Sequence, residues 1–331
     1  FMNAITPLDT DGGSDSAPTP GAAAQKLIAA VKANPSEPLF AVVDGARYGN
    51  LPRLLDMQGL TGRSLFLDHA DAEIEAASGW LVPLGGEADL ARLLEVSDET
   101  CSSLVLWFCP LGETALHRHV RTINVVRIPS DAIPDNNLVA DADPGEDPEK
   151  TSRPEYGNVL FRHYDPDVLG ALLPLLDEAQ FARIFGPATR IVMFSQGHGG
   201  LCTAPRPENL PIAPRGLLTI SAGQIEDLKL AMGEARDMRV AAYLRKSAPE
   251  AAAKLDDHQL AHFVAASSAS GHELGLTTER AQGFWAYMML NSKGRIAGDA
   301  VVRDYIISNP EKGTPDDKVY NLMGELTKAG R

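Results

Sequence analysis

Short apolar runs, separated by amphipathic stretches, set the strongest limit on what this chain can fold into. Leu39-Phe-Ala-Val-Val43, Ser64-Leu-Phe-Leu67, Trp80-Leu-Val82, Leu104 to Phe108 and Arg190 to Phe194 are too short for core helices. The first of them is stopped by the turn pair Asp44-Gly45, and together they read as strands. Between them, apolar residues recur at helical spacing, as with Leu90, Leu93 and Leu94 at i, i+3 and i+4. Helices are predicted over Pro52 to Met57, Ala70 to Ser78, Ala88 to Val96 and Glu113 to Thr122. Strand and helix in alternation predict an α/β N-terminal domain, a mixed sheet flanked by helices.

The pattern changes after Phe194. A Pro- and Gly-rich stretch follows to Arg215, and beyond it the residues are mostly helix formers, so a smaller all-α C-terminal domain is expected. At 331 residues, two domains fit the length. The predicted division is a flexible arm and leading helix at 1–38, the α/β domain at 39–195, a linker at 196–215 and the helical domain at 216–331. Ser221 with Gln224 three residues on is a capping box that opens the helical part. Arg239 to Arg245, His258 to His272, Thr278 to Leu290, Asp299 to Ile307 and Pro315 to Lys328 supply its further helices. No internal repeat period stands out, which argues against a solenoid.

The strand Asn124 to Ile128 should pair with Val159 to Tyr164 across a long connection. Residues 129–157 of that connection are crowded with Asp, Glu and Pro, and almost no large apolar side chain interrupts them. Such a segment buries too little surface to offset its ordering entropy, so it is expected to be a mobile acidic insertion. Its functional alternative is a tethered bait for a basic partner. The whole chain has a formal net charge of -14, which repels a phosphate backbone, so no nucleic-acid partner is expected. No apolar run reaches the ~20 residues of a membrane span, and no basic start leads into an apolar leader. Cys101, Cys109 and Cys202 form no paired motif, in keeping with a reducing compartment, and the expected location is cytoplasmic.

The most informative local sequence is Val159-Leu-Phe-Arg-His-Tyr-Asp-Pro-Asp-Val-Leu169. Asp165 suits a helix N-cap, Pro166 suits the first helical position, and Asp167 faces the positive helix end. Asp177 with Gln180 then signals a second helix start, and Gly186-Pro187 stops it.

Leu160 to Leu169, Leu172-Leu-Pro-Leu-Leu176 and Phe185-Gly-Pro187 together resemble the signature of the family called domain of unknown function 4123. Phe40-Ala-Val-Val-Asp-Gly-Ala-Arg47, Ser64-Leu-Phe66, Gly79-Trp-Leu-Val-Pro-Leu84, Ser103-Leu-Val-Leu106 and Leu116-His-Arg-His-Val120 agree in order, so the resemblance spans about residues 39 to 194. It implies an adaptor or chaperone of bacterial type VI secretion that binds a toxin effector and loads it onto the valine-glycine repeat (VgrG) spike, with no catalysis and no cofactor. It also makes Asp44, Arg47, Phe161, Arg162, Tyr164, Asp165 and Pro166 the structural or partner signature. The acidic insertion departs from the short connection usual in the family.

The residues themselves leave alternatives open. Asp44 and Arg162 are charges in places that should be mostly buried, and Asp44 or Asp165 is expected to pair with Arg162. Alternatively Arg162 points to solvent at a sheet edge. His258 and His262 sit four apart on a helix without the glutamate of a zinc-protease motif, so no metal is predicted, and His117 and His119 read as surface residues. Ser195-Gln-Gly-His-Gly-Gly200 lacks the order of a nucleophile elbow and reads as linker. The rival function is a small-molecule enzyme with an active site in the inter-domain cleft; a further one is a structural subunit of the secretion machine.

Overall fold

The computed structural model describes residues 6–7, 21–33, 36–66, 71–98, 100–133, 155–308, 311 and 313–329. The chain divides into two compact units, the first reaching Met232 and the second beginning at Gly233. In chain order the first unit contains β1 (Thr6–Pro7), α1 (Ala22–Lys32), β2 (Leu39–Asp44), α2 (Leu51–Met57), β3 (Arg63–Ser64) and α3 (Ala72–Ala76). Then come β4 (Gly79–Leu84), α4 (Glu87–Glu95), β5 (Leu104–Phe108), α5 (Gly112–Arg121) and β6 (Val125–Pro129). It continues with β7 (Tyr156–Leu160), α6 (Pro166–Leu172), α7 (Glu178–Phe185), β8 (Arg190–Ser195), β9 (Gly200–Pro205) and β10 (Leu218–Thr219). The long α8 (Ala222–Ser247) starts in this unit and ends in the next.

Seven strands form the main sheet in the order β1-β9-β8-β5-β2-β4-β3. β2 lies inside it, paired from Leu39↔Leu84 to Asp44↔Gly79 on one side and from Leu39↔Phe108 to Val43↔Leu104 on the other. Side chains alternate between the faces. Phe40, Val42, Val105, Trp107, Ile191 and Met193 join one core with Leu116 and Val120 of α5, Leu169 and Leu172 of α6, and Phe181, Ile184 and Phe185 of α7. Leu39, Ala41, Val43, Leu104, Leu106, Phe108, Val192 and Phe194 join the other, under Leu27 and Val31 of α1, Leu51 and Leu55 of α2 and Leu90 and Leu93 of α4. Both faces are covered, which is why the central strands are continuously apolar over Leu39 to Val43 and Leu104 to Phe108.

The expected class holds: a sheet flanked by helices, then a helical part. The strand directions differ from a mixed sheet, because every described pair of the main sheet is antiparallel. Among the described residues the parallel pair is β10 with β6, in a small sheet of order β10-β6-β7. The expected pairing across the long connection is present, from Val125↔Leu160 to Pro129↔Tyr156. Of the acidic insertion 129–157, residues 134–154 lie outside the described residues.

Residues 196–215 do not form a linker. Ser195 leads through a short 3-10 turn at Gln196–His198 into β9, which pairs with β8 from Ser195↔Gly200 to Arg190↔Pro205. Gly199 and Gly200 have φ of 83° and 106°, so the glycines that read as linker turn a hairpin instead. The division between the units falls later, inside α8. Its start is held by two capping boxes that also meet each other. Gln180 closes the box with Asp177, and Gln224 the one with Ser221. The two amides then exchange bonds, Gln180 Nε2 donating to Gln224 Oε1 at 3.0 Å and Gln224 Nε2 to Gln180 Oε1 at 2.6 Å.

The second unit holds the rest of α8, then α9 (Pro249–Ala252), α10 (Asp257–Glu273), α11 (Glu279–Asn291), α12 (Ala300–Ile307) and α13 (Pro315–Ala329). The predicted helices match these, except that the segments expected at Ser221 and at Arg239 to Arg245 are one continuous helix, and the short α9 was not predicted. Its cores form around Leu244, Leu260 and Val264, and around Trp285, Met288, Ile306 and Val319. Asp316 fixes the turn before α11, accepting from Thr277 N and Thr278 N, each at 3.0 Å. Lys318 is buried, and its Nζ donates to Ile306 O at 3.2 Å and Ser308 O at 2.5 Å, answering bare carbonyls at the end of α12.

Candidate functional site

The signature residues converge where β2 ends. Asp44, the last residue of that strand, is 1% exposed, and an unpaired carboxylate there would be costly. Its Oδ1 accepts from Ala46 N at 3.2 Å, capping the 3-10 turn Gly45–Arg47, while its Oδ2 takes the Arg162 guanidinium and lies 3.7 Å from Arg47 Nε. The chain can bend directly after Asp44 because residue 45 is glycine. A Cβ there would sit 2.2 Å from the Ala76 carbonyl oxygen and 2.5 Å from that of Ser78.

Arg162 reaches Asp44 from the turn between β7 and α6, beyond the strand in which it was expected. Its side chain is 42% exposed, so one side of the guanidinium faces solvent and the other faces buried carboxylates. Asp165 Oδ2 lies 3.9 Å from the same nitrogen. Burial opposes the charge of Arg162, and the attraction of Asp44 and then Asp165 more than offsets it, raising its pKa. Burial, followed by repulsion from Asp167, pushes the Asp165 carboxyl up. The two carboxylates share one cation, and Asp44 makes the closer contact.

Asp165 also starts α6, as its sequence predicts. Its Oδ1 accepts from Asp167 N at 3.0 Å and Val168 N at 3.4 Å, and Pro166 occupies the first helical position, buried. Asp165→Ala is expected to cost about 1 kcal/mol of unfolding free energy, read as a lowered urea midpoint with unchanged slope.

Phe161 and Tyr164 are core residues. The Tyr164 ring closes over Gly79, where a Cβ would come within 2.7 Å of it. Burial and then the Asp44 charge push the Tyr164 phenol up to about 12. Sequence reasoning assigned no role to His163 between them, yet it is fully buried. Its Nε2 donates to Asn124 Oδ1 at 2.9 Å, and Asn124 Nδ2 donates to Leu65 O at 2.9 Å. Three aromatic rings surround it: Trp107 at 6.1 Å, Phe161 at 6.0 Å and Tyr164 at 5.4 Å between centroids. Its setting within Phe-Arg-His-Tyr is the one signal the sequence offered.

His117 and His119 are not the surface residues expected. His117 is buried, with Nε2 bonded to Ser64 O at 2.9 Å, and His119 Nε2 bonds Ile184 O at 2.7 Å against Gly186. They face different elements, which fits their spacing, but α5 is covered on both of those sides.

Ser195 and His198 do come close, although not as nucleophile and base. Ser195 Oγ donates to Asp167 Oδ1, and His198 Nε2 donates to the Asp167 carbonyl oxygen at 3.0 Å. A base for Ser195 would turn an unprotonated Nε2 toward Oγ. Here both side chains fasten the β8–β9 turn to the first turn of α6. Among the described residues, no group of three or more His, Cys, Asp and Glu could hold a metal, and no helix is long and apolar enough to cross a membrane.

Residues 39–133 match the family model described as Domain of unknown function (DUF4123). The matched span runs from β2 to just past β6 and includes Asp44 and Arg47; the Leu160 to Pro187 motifs lie beyond it. Neither the curated proteins nor the solved structures include a match.

Proposed function

We propose that this chain, which carries a domain of the DUF4123 family at residues 39–133, is a non-catalytic adaptor of bacterial type VI secretion. In this reading it holds a toxin effector in the cytoplasm and hands it to the VgrG spike. The family match is the observation that carries it, since that family is known generally for such adaptors. The site chemistry is in keeping. Asp44, Arg47, Arg162 and Asp165 engage one another, and Ser195 and His198 engage Asp167, so these groups stabilise loops where an enzyme would aim them at a substrate.

An adaptor must hold cargo tightly enough to protect it and loosely enough to release it, so an interface of about 800 Å² per partner is expected. Co-expression of the full chain with the toxin encoded beside it tests the reading. A complex that survives gel filtration and increases the toxin recovered with the spike is the expected result. Unchanged recovery with and without the chain would sink the proposal. A small-molecule turnover abolished by one polar substitution, with the fold intact, would establish the enzyme in its place.

A further inference from the structure

β9 would end the main sheet if the N-terminal segment left it. Its inner side is paired with β8 along its whole length, from Ser195↔Gly200 to Arg190↔Pro205. Among the described residues its outer side meets β1 alone, through Thr6↔Thr203 and Pro7↔Cys202.

In an antiparallel ladder successive residues turn their N–H and C=O groups to opposite neighbours. Arg206 N donates to Thr189 O in the register of β8 and β9, so Gly200, Cys202 and Ala204 bond inward and Leu201 and Thr203 point their backbone groups outward. Thr6 and Thr203 therefore form the hydrogen-bonded pair, and Pro7, opposite Cys202, turns its nitrogen away from β9. A proline at that position loses no bond to β9. On the far side of β1 it also offers no donor to a further strand.

Uncovered, β9 would be a hazard. Gly200-Leu-Cys-Thr-Ala204 carries no charge and no proline, and a sheet edge of that kind is a template for another chain. A second copy suits it, because β9 set antiparallel against itself makes the twofold contact common to homodimers. The opposite edge needs no such cover, since β3 is two residues long and carries the exposed Arg63.

We infer that the β9 edge is a strand-acceptor surface, that its occupant is the chain's own Thr6–Pro7, and that this strap keeps two copies from joining through β9. The inference goes beyond the adaptor reading and does not depend on it.

Two substitutions in the full-length chain test it. Pro7→Cys places a thiol opposite Cys202 in a non-hydrogen-bonded pair, where Cα atoms lie about 4.5 Å apart, within the range of a disulfide. With oxidised glutathione a bond should close within one chain, giving monomer mass on a non-reducing gel and the loss of two free thiols. Pro7→Cys/Cys202→Ser should form none. Thr6→Pro removes the N–H that pairs with Thr203. By light scattering the parent should keep one mass from micromolar to submillimolar concentration, while Thr6→Pro should approach twice that mass. The oxidised Pro7→Cys chain should stay at the parent's mass, which traces the added association to β9. No bond to Cys202 would take the segment off β9, and a bond formed only between chains would make the occupant another copy's arm; either overturns the proposal. A parent that already doubles its mass, or Thr6→Pro that stays at the parent's mass, would overturn the guarding role.

Discussion

Taking the protein from pH 7 to pH 5 should destabilise the first unit by about 4 kcal/mol, through His119 and His163. Burial is the main cause in both. It holds His119 down to about 4, and it holds His163 down to about 3 with help from repulsion by His119. In the unfolded chain each imidazole has its ordinary pKa near 6.5. Below that pH the unfolded state therefore takes up protons that the folded state refuses, so the stability is complete above about 6.5 and is lost as pH falls toward the folded values. Each group contributes a loss approaching 1.4 kcal/mol per pH unit, or about 2 kcal/mol by pH 5. Against a net stability of roughly 5–15 kcal/mol, this is a large share. Urea melts at the two pH values, followed by tryptophan fluorescence in a Trp285→Phe background, would isolate Trp80 and Trp107 of the first unit. In His119→Gln/His163→Gln the chain should be weaker at pH 7, but the drop between pH 7 and pH 5 should shrink by most of that amount, leaving what His117, also held down by burial, contributes. An equal drop in that variant would mean that other groups set the acid limit.

The same histidines mark where local sequence stops being informative. Helix starts are written in a few adjacent residues, so Asp165-Pro166-Asp167, the Asp177 and Gln180 pair and the Ser221 and Gln224 pair are all legible in the sequence. That the two glutamines then bond each other depends on bringing residues 44 positions apart into contact, which no local pattern encodes. Strand direction is hidden for a related reason. Full apolar runs report coverage on both faces of a sheet, and here helices and a second small sheet cover an antiparallel one just as crossover helices would cover a parallel one. His119 is polar and its sequence context predicts the surface, yet its ring lies where a Cβ on Gly186 would be. Glycine carried two meanings as well, since Gly199 and Gly200 serve a hairpin turn and not a domain boundary. That Arg162 should meet a carboxylate is legible because a buried charge needs a partner, but which of Asp44 and Asp165 makes the closer contact is not.

That pairing supports the second large effect. Arg162→Met should cost about 3 kcal/mol, because it leaves the Asp44 carboxylate buried with only the Ala46 N–H and a longer contact to Arg47. The asymmetry of exposure makes the two halves of the pair unequal. Arg162 is partly in water and retains Asp165 nearby, so Asp44→Asn should cost less, about 1–2 kcal/mol, most of it from the weakened guanidinium contact. In the double variant Asp44→Asn/Arg162→Met the charge that needed a partner is gone, and its cost should fall short of the sum of the single ones by about 2 kcal/mol. Added salt should alter this coupling little, since the carboxylate is shielded from the solvent ions that screen surface pairs. Additive losses, within about 0.5 kcal/mol, would mean that Arg162 does not hold Asp44. The turn from β2 into Gly45 would then rest on the glycine and the backbone bonds around it, and Arg162 would be free to act on a partner instead.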